Sequence, residues 1–343
     1  IHVAGTNGKG TTSLIVSEVL SCAGYRVGKF TSPHIHSYSE RFTIDGREIK
    51  PEILNDYLRQ MEDMVMIMDK EGSGRPTEFE VLTAVAFQYF RDSNVDIAVL
   101  EVGMGGLYDS TNVIKPEVSI ITSIDYDHTS FLGNTMEEIA QNKAGIIKPG
   151  VPVVVGPMDE HALKVIKDKA EVEKALLYNN SRCSITRIGS PGLGGQEIEI
   201  QFSGHQLGKA SFSLLGDYQL VNLATAITAL MLLKQAGYQL VNENITDVLP
   251  GLSITGRMEV VSNDPLIILD VAHNPQAARA LSGSLANLLP GVPKVLVFGL
   301  LDDKDALDTV KPLGDNTRVC IVTKPVSEKN PDMPADELEK LAN

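Results

Sequence analysis

The sequence predicts an α/β fold. A P-loop NTPase-like amino-terminal domain, with a mostly parallel sheet and a small antiparallel meander, is followed by a Rossmann-like carboxy-terminal domain. Three observations predict it. Short apolar runs alternate with longer stretches of helical period. The runs are apolar on both faces, as strands of a helix-covered parallel sheet are. The first of them leads directly into a glycine-rich turn and then a helix.

The expected strands are residues 1–4, 27–30, 96–102, 118–122, 151–155, 266–271, 294–298 and 318–323. Helices are expected between them, several with readable ends. Thr77 and Glu80 form a capping box, and Pro51 suits the first position of a helix running to Lys70. Gly24 and Gly237 are expected stops after helices near 11–23 and 219–236. Residues 185–215 are Gly-rich and alternate, with strands at 197–202 and 210–214, which predicts the meander. Turn residues cluster at 250–256, and a β-α-β-α-β pattern starts again at Met258. The expected division is residues 1–252 and 257–343, joined by a linker at 253–256. The second part has few strands and is expected to be incomplete.

Composition excludes several classes. The chain has 343 residues, 43% hydrophobic and 22% charged, which is globular and not disordered. No apolar run reaches the roughly 18 residues of a membrane helix. The formal net charge of −14 makes it a poor binder of nucleic acid or anionic membrane. Any attraction for an anionic substrate must then be local. Cys22, Cys183 and Cys320 are odd in number and far apart, which predicts no disulfide framework and a cytoplasmic location. The methionines at 61, 64, 66 and 68 read as helix-face filling, the Lys/Glu stretch 164–174 as a solvated helix and 327–334 as a surface loop.

The motifs that carry chemistry sit at strand ends. Gly5, Thr6, Asn7, Gly8, Lys9, Gly10, Thr11 and Thr12 lie between the first strand and the first helix. Glycines let successive backbone N–H groups turn towards a phosphate, and the helix terminus adds positive partial charge. Lys9 can reach a β/γ-phosphate and Thr11 can hold Mg²⁺. The spacing departs from the usual loop, with Val3 at the first glycine position and Gly10 inserted between Lys9 and Thr11. Glu101 ends an apolar strand expected on the same sheet edge, where Mg²⁺ would suit it. His128 follows the next strand, and Lys143 reads by itself as an ordinary helix lysine.

Together these segments resemble the Mur ligase superfamily of ATP-dependent amide-forming ligases, and within it the folylpolyglutamate synthase / dihydrofolate synthase family. The residues that carry the resemblance are GTNGKGT (5–11), TSPH (31–34) with ERF (40–42), EVGMGG (101–106) with DSTN (109–112), Asp127-His128, KAGIIK (143–148), GDYQLVN (216–222), Gly256-Arg257 and DVAHNP (270–275). The resemblance implies two Mg²⁺ ions and ATP as co-substrate. Asn7, Gly8, Lys9, Gly10, Thr11, Thr12, Asn222, Arg257, Asp270 and His273 would contact ATP. Thr11, Ser32 and Glu101 would serve one metal, and Glu101, His128 and a carbamylated Lys143 the second. Lys9, His128 and Lys143 would be the catalytic set. Ser32, Pro33, His34, Phe79 and Asp109 would take the folate, Phe79 by stacking on the pteridine and Asp109 by hydrogen bonds to it. The implied partners are reduced folate or dihydropteroate, and L-glutamate, acting on a monomer. Departures are Leu107 and Tyr108 where many members have Arg and Leu, Tyr218 where many have His, and Asn142 where Glu is common. Members usually extend further at both ends. The open alternatives are a different carboxylate substrate, dihydropteroate instead of folate, a nucleotide-dependent switch without ligase chemistry, and a nicotinamide-dependent oxidoreductase.

Overall fold

A computed structural model describes residues 1–72, 74–301 and 306–323. The first part of the chain runs β1 (His2–Ala4), α1 (Lys9–Cys22), β2 (Val27–Phe30), β3 (Phe42–Ile44), β4 (Arg47–Glu48), α2 (Pro51–Lys70), α3 (Glu78–Asp92) and β5 (Ile97–Glu101). It continues with β6 (Ser119–Ile121), α4 (Thr129–Leu132), α5 (Met136–Ala144), β7 (Val153–Val155), α6 (Glu160–Val172) and β8 (Leu177–Asn179). Then come β9 (Cys183–Arg187), β10 (Gln196–Phe202), β11 (His205–Phe212), α7 (Asp217–Gln235) and α8 (Asn242–Val248). The last described elements are β12 (Glu259–Asn263), β13 (Leu266–Leu269), α9 (Pro275–Leu288), β14 (Lys294–Phe298), α10 (Ala306–Leu313) and β15 (Thr317–Val322).

Eight strands form one sheet in the order β4-β3-β2-β5-β1-β6-β7-β8. From β2 to β8 all neighbours are parallel. The antiparallel β3 and β4 extend one edge. Sequence patterning missed these two because three and two residues are too few to display an alternation. The chain leaves β1 on one side of the sheet and later returns to build β6 to β8 on the other. Open α/β sheets bind ligands at such a reversal, outside the carboxyl ends of the strands. Registry brings the motifs together there: Val3 lies opposite Glu101, and Ala4 opposite Ile121. The predicted helix ends hold. Pro51 opens α2, and the Thr77–Glu80 box caps α3. Gly24 and Gly237 follow their helices with φ of 91° and 106°.

The meander is present as β11-β10-β9, with β9 added to the two expected strands. It packs with α7 and α1 in one apolar core that includes Ile15, Leu20, Ile198, Phe212, Leu223 and Leu230. α7 is buried around most of its circumference, so it lacks the one-sided stripe of a surface helix. Its beginning also reaches the next unit, where Leu215 and Tyr218 pack with Met258, Leu281 and Phe298.

Two expectations for the last part need correction. The pattern from Met258 begins with an antiparallel hairpin, β12–β13, turned at Asp264-Pro265, and not with a β-α-β unit. Among the described residues, the strands there are also covered on one face only. Among the described residues Val295 and Val297 of β14 are 59% and 63% exposed, because α9 and α10 pack one side of the β14–β15 pair. The loop expected at 327–334 lies outside the described residues.

Candidate active site

The site grows from the end of β1. Gly5 needs to be glycine because a Cβ would lie 1.9 Å from Thr122 Oγ1. Gly8 caps α1 with φ of 86°, and a Cβ there would meet Asn222 Oδ1 at 2.3 Å. The loop is thus pressed against β6 on one side and α7 on the other. Thr6 and Asn7 fasten it to the strand end: Thr6 N–H donates to the Ser123 carbonyl (2.8 Å) and Asn7 N–H to Ser123 Oγ (2.9 Å). Lys9 begins α1, and its ammonium donates to the carbonyls of Gly5 (3.0 Å) and Thr6 (3.3 Å).

Glu101 ends β5 and is only 3% exposed. Among the described residues its carboxylate accepts one hydrogen bond, from Ser32 N–H at 3.3 Å. Burial pushes its pKa up, against the pull of Lys9, Ser32, Arg257 and Lys29. A buried carboxylate with so little direct pairing suits a hard divalent cation, which would restore its charge. Thr11 lines a different cavity from Glu101. Side chains turn about 100° per residue along a helix, so the inserted Gly10 faces the carboxylate, at 3.7 Å for an ideal Cβ. Thr11 lines the neighbouring cavity instead.

Three cavities meet here. The central one, about 130 Å³, is lined by the loop, Ser32, Glu101, Asp127, His128, Lys143, Arg257 and His273. A second, about 260 Å³, lies between the loop and α7, lined by Asn7, Thr11, Tyr218, Asn222, Asp270 and Gln276. The third is a cleft of about 1420 Å³ running past Ser32, Pro33 and His34. Arg257 lines all three. His128 adopts φ of 48° at the start of α4, which turns its ring towards Asp127 at 3.8 Å. Lys143 is 3% exposed, and desolvation, with help from Lys9 and against Asp127, lowers its pKa to about 7. This is therefore no ordinary solvated helix lysine. Lowered this far, the amine has a substantial neutral fraction near pH 7, and that form is nucleophilic and open to carbamylation.

The structure also places residues whose importance sequence spacing did not reveal. Asn7 Nδ2 donates to Asn274 Oδ1 (3.2 Å) and Gln276 Oε1 (2.6 Å), and Asn274 Nδ2 donates back to Asn7 Oδ1 (3.1 Å). Asp127 Oδ2 sits 3.6 Å from His273 Nε2 and accepts from Asn274 Nδ2 at 3.4 Å. Asn274 before Pro275 reads as a helix cap, and it caps α9 through Ala277 N–H (2.9 Å), but its partner 267 residues away was invisible. Asp270 is spent locally. It accepts from Met258 N–H (2.9 Å), Ala272 N–H (2.8 Å) and the Tyr218 hydroxyl (3.3 Å), and so fixes the turn that presents Arg257.

Among the expected folate residues, Ser32, Pro33 and His34 line the large cleft, with His34 Nδ1 accepting from Arg41 Nε at 2.8 Å. Phe79 and Asp109 line none of the three cavities. Phe79 stacks on Phe30 (5.7 Å) against Gly103, and Asp109 caps the turn at Ser110–Val113 and accepts from Met104 N–H at 3.0 Å.

A phosphate loop, a buried strand-end acid and an arginine from a following α/β unit define a nucleotide-dependent ligase of the Mur type. In agreement, the Mur ligase middle domain family matches residues 3–230, and the Mur ligase glutamate ligase domain family matches residues 256–343. The dihydrofolate synthase/folylpolyglutamate synthase of Bacillus subtilis is 36% identical over 314 residues, 91% of this chain and 73% of that protein. The folylpolyglutamate synthase of Lacticaseibacillus casei is 38% identical over 308 residues, 89% of this chain and 72% of its own. The Mycobacterium tuberculosis folylpolyglutamate synthase complexed with ADP superposes with a TM-score of 0.92 at 32% identity, over 100% of this chain and 77% of that one. An FPGS–AMPPCP–folate complex superposes with a TM-score of 0.87 at 36% identity, over 93% of this chain and 78% of that one. The chain belongs to the folylpolyglutamate synthase / dihydrofolate synthase family of Mur ligases.

Proposed function

We propose that this chain is an ATP-dependent ligase that adds L-glutamate to the γ-carboxylate of a reduced folate. The observation that carries this reading is the meeting of the phosphate loop and Glu101 on one sheet edge, under Arg257. Relatives that are folylpolyglutamate synthases, solved with ADP and with AMPPCP and folate, support the substrates.

A carboxylate and an amine do not condense in neutral water at a useful rate, so the carboxylate is activated first. Its oxygen attacks the γ-phosphorus, the bond to the β-phosphate oxygen breaks, and ADP leaves. The amine of glutamate then attacks the acyl carbon, phosphate departs and the amine proton is lost. Lys9 and the N-terminus of α1 oppose the charge repulsion of the first step. Arg257, at the meeting of the cavities, faces both nucleotide and acceptor. Closure of the cleft excludes water, which would otherwise hydrolyse the acyl phosphate.

In this reading Glu101 and Ser32 would hold one Mg²⁺, and Glu101, His128 and a carbamylated Lys143 a second. When bound, these ions supply positive charge against the phosphates. Thr11, with Asn7, Asn222 and Gln276, belongs to the nucleotide side, and Tyr218 stands over the same cavity. Ser32, Pro33 and His34 flank the acceptor cleft. The chain acts as two domains, 1–252 and 257–343, hinged at 253–256, and as a monomer in the cytoplasm. None of the described helices is long and apolar enough to cross a membrane.

The double name of the Bacillus relative favours a second reading, in which dihydropteroate is also an acceptor. The test is ATP-dependent phosphate release with tetrahydrofolate or dihydropteroate, each with and without glutamate. Release that requires both an acceptor and glutamate supports the ligase. Release indifferent to both marks a nucleotide switch.

A further inference from the structure

The meander and the first turn of α7 hold a polar cluster that the activation chemistry does not use. Arg187 on β9 donates to Asp217 Oδ1 through its guanidinium, and to Gln196 Oε1 through Nε at 2.8 Å. Gln196 on β10 is buried, and its Nε2 donates to the carbonyls of Leu214 (2.9 Å) and Gly216 (3.3 Å), which lead into α7. Asp217 then reaches across to α9. Its N–H donates to Ser284 Oγ at 3.1 Å, and its Oδ2 accepts from Asn287 Nδ2 at 2.7 Å. Ser284 is buried, so that contact is shielded from water.

The place of this clasp gives it a use. The cavity of about 260 Å³ takes Tyr218, Val221 and Asn222 from α7, and Gln276, Ala277 and Ala280 from α9. On α9 the cavity residues Ala277 and Ala280 are followed at helical spacing by Ser284 and Asn287, so the four lie on one face. The phosphate loop joins the two helices at one end of the cavity: Asn7 meets Asn274 and Gln276, and Gly8 packs against Asn222. Asp217 joins the same two helices further along. Gln276 and Ser284 are eight residues of helix apart, about 12 Å. Asp217 itself lines none of the three cavities.

α7 belongs to the first part of the chain and α9 to the second, so nothing covalent sets their spacing. Leu215 and Leu281 share an apolar cluster beside the clasp, but apolar packing is non-directional. Hydrogen bonds fix distance and angle. Arg187, itself oriented by Gln196, holds the Asp217 carboxylate where Asn287 can reach it. The clasp and the loop together then hold α7 and α9 at two points, with the nucleotide groups between them.

We propose that Asp217 is a positioning residue for the nucleotide: it ties the second half of α9 to the start of α7 and so sets the width of the cavity that takes ATP, without touching the ligand. This deepens the ligase reading above and rests on its assignment of that cavity to the nucleotide. It also gives the meander a task, that of bracing the clasp through Arg187 and Gln196.

The test uses the full chain. Nucleotide affinity is read by equilibrium binding of ADP and AMPPCP, and KM by phosphate release. Asp217→Ala is expected to weaken ADP and raise the KM for ATP about fivefold, as loss of a partly exposed charged hydrogen bond does. The KM values for tetrahydrofolate and glutamate, and kcat at saturating ATP, are expected to stay close to wild type. Asn287→Asp sets two carboxylates against each other and is expected to weaken ADP at least as much. Adding Asp217→Asn to Asn287→Asp exchanges acid and amide, and is expected to recover most of that loss. Should Asp217→Ala fail to fold, this exchange decides the matter. A lowered melting point with unchanged ADP affinity overturns the proposal, because Asp217 would then serve stability alone. So does an equal rise in all three KM values, or an exchange that restores nothing. Wild type that binds neither ADP nor AMPPCP would sink the nucleotide reading itself, and the clasp with it.

Discussion

Lys9 is the side-chain cation that the loop itself contributes to the central cavity. Its two carbonyl contacts hold it at the loop until a phosphate competes for it. Lys9→Ala is expected to lower kcat more than tenfold, at least ~1.4 kcal/mol of transition-state stabilisation. Retention of a tenth or more of the turnover would contradict its role. Glu101→Gln keeps the shape and removes the charge, so the Mg²⁺ titration of activity should shift to higher concentration, and an unmoved curve would remove Glu101 from the metal. At Lys143 the folded pKa, about 7, lies below its ordinary 10.5. Between those values the unfolded chain binds the extra proton, so this residue's contribution to stability rises as pH rises through that window and is lost below it. Lys143→Met should flatten that part of the stability curve in denaturant titrations at successive pH values. Bicarbonate should add a carbamyl group to wild type in intact-mass measurements. Residue identities at strand ends were legible in the sequence because a charge that ends an apolar run stands out. The charge within 27–30, Lys29, stood out less, since only the sheet register shows what faces it.

The elements were legible where their signals are local. A capping box needs four residues, and the expected one at Thr77 to Glu80 forms. A parallel strand is marked by a short run rich in apolar residues, and β2, inside the large sheet, and β14, in the two-stranded pair, were delimited correctly on that basis. Edge strands β3 and β4 gave no such run, and neither did β12, the first strand of the hairpin, whereas its partner β13 falls within the expected strand at 266–271. Thr11 shows what spacing alone leaves open: with Gly10 inserted after the lysine, its side chain lines the cavity between the loop and α7, while Glu101 lines the central one. The close approach of α1 to α7 makes a prediction at this scale. Gly8→Ala forces a side chain into the left-handed region and against Asn222, so it should destabilise the fold by about 1–2 kcal/mol or more. Thermal unfolding measures this, and a melting point equal to wild type would show that the loop relaxes freely.

Across the whole molecule, the two halves are joined at a polar seam. Asn7 of the phosphate loop meets Asn274 and Gln276, and Arg279 approaches Asp125 at 3.7 Å. This seam sets the loop against the unit that supplies Arg257, through contacts between residues some 267 positions apart. No periodicity could have revealed that pairing. The resemblance of the separate motifs could only imply that they meet. The net charge of −14 is consistent with attraction confined to a few cations in the cleft. The central claim is that loop, acid and arginine converge to phosphorylate an acceptor carboxylate before glutamate arrives. Oxygen-18 in the acceptor carboxylate tests it most directly. The account predicts that one labelled oxygen appears in the released phosphate in a reaction that also requires glutamate. Unlabelled phosphate, or release without any acceptor, would contradict it.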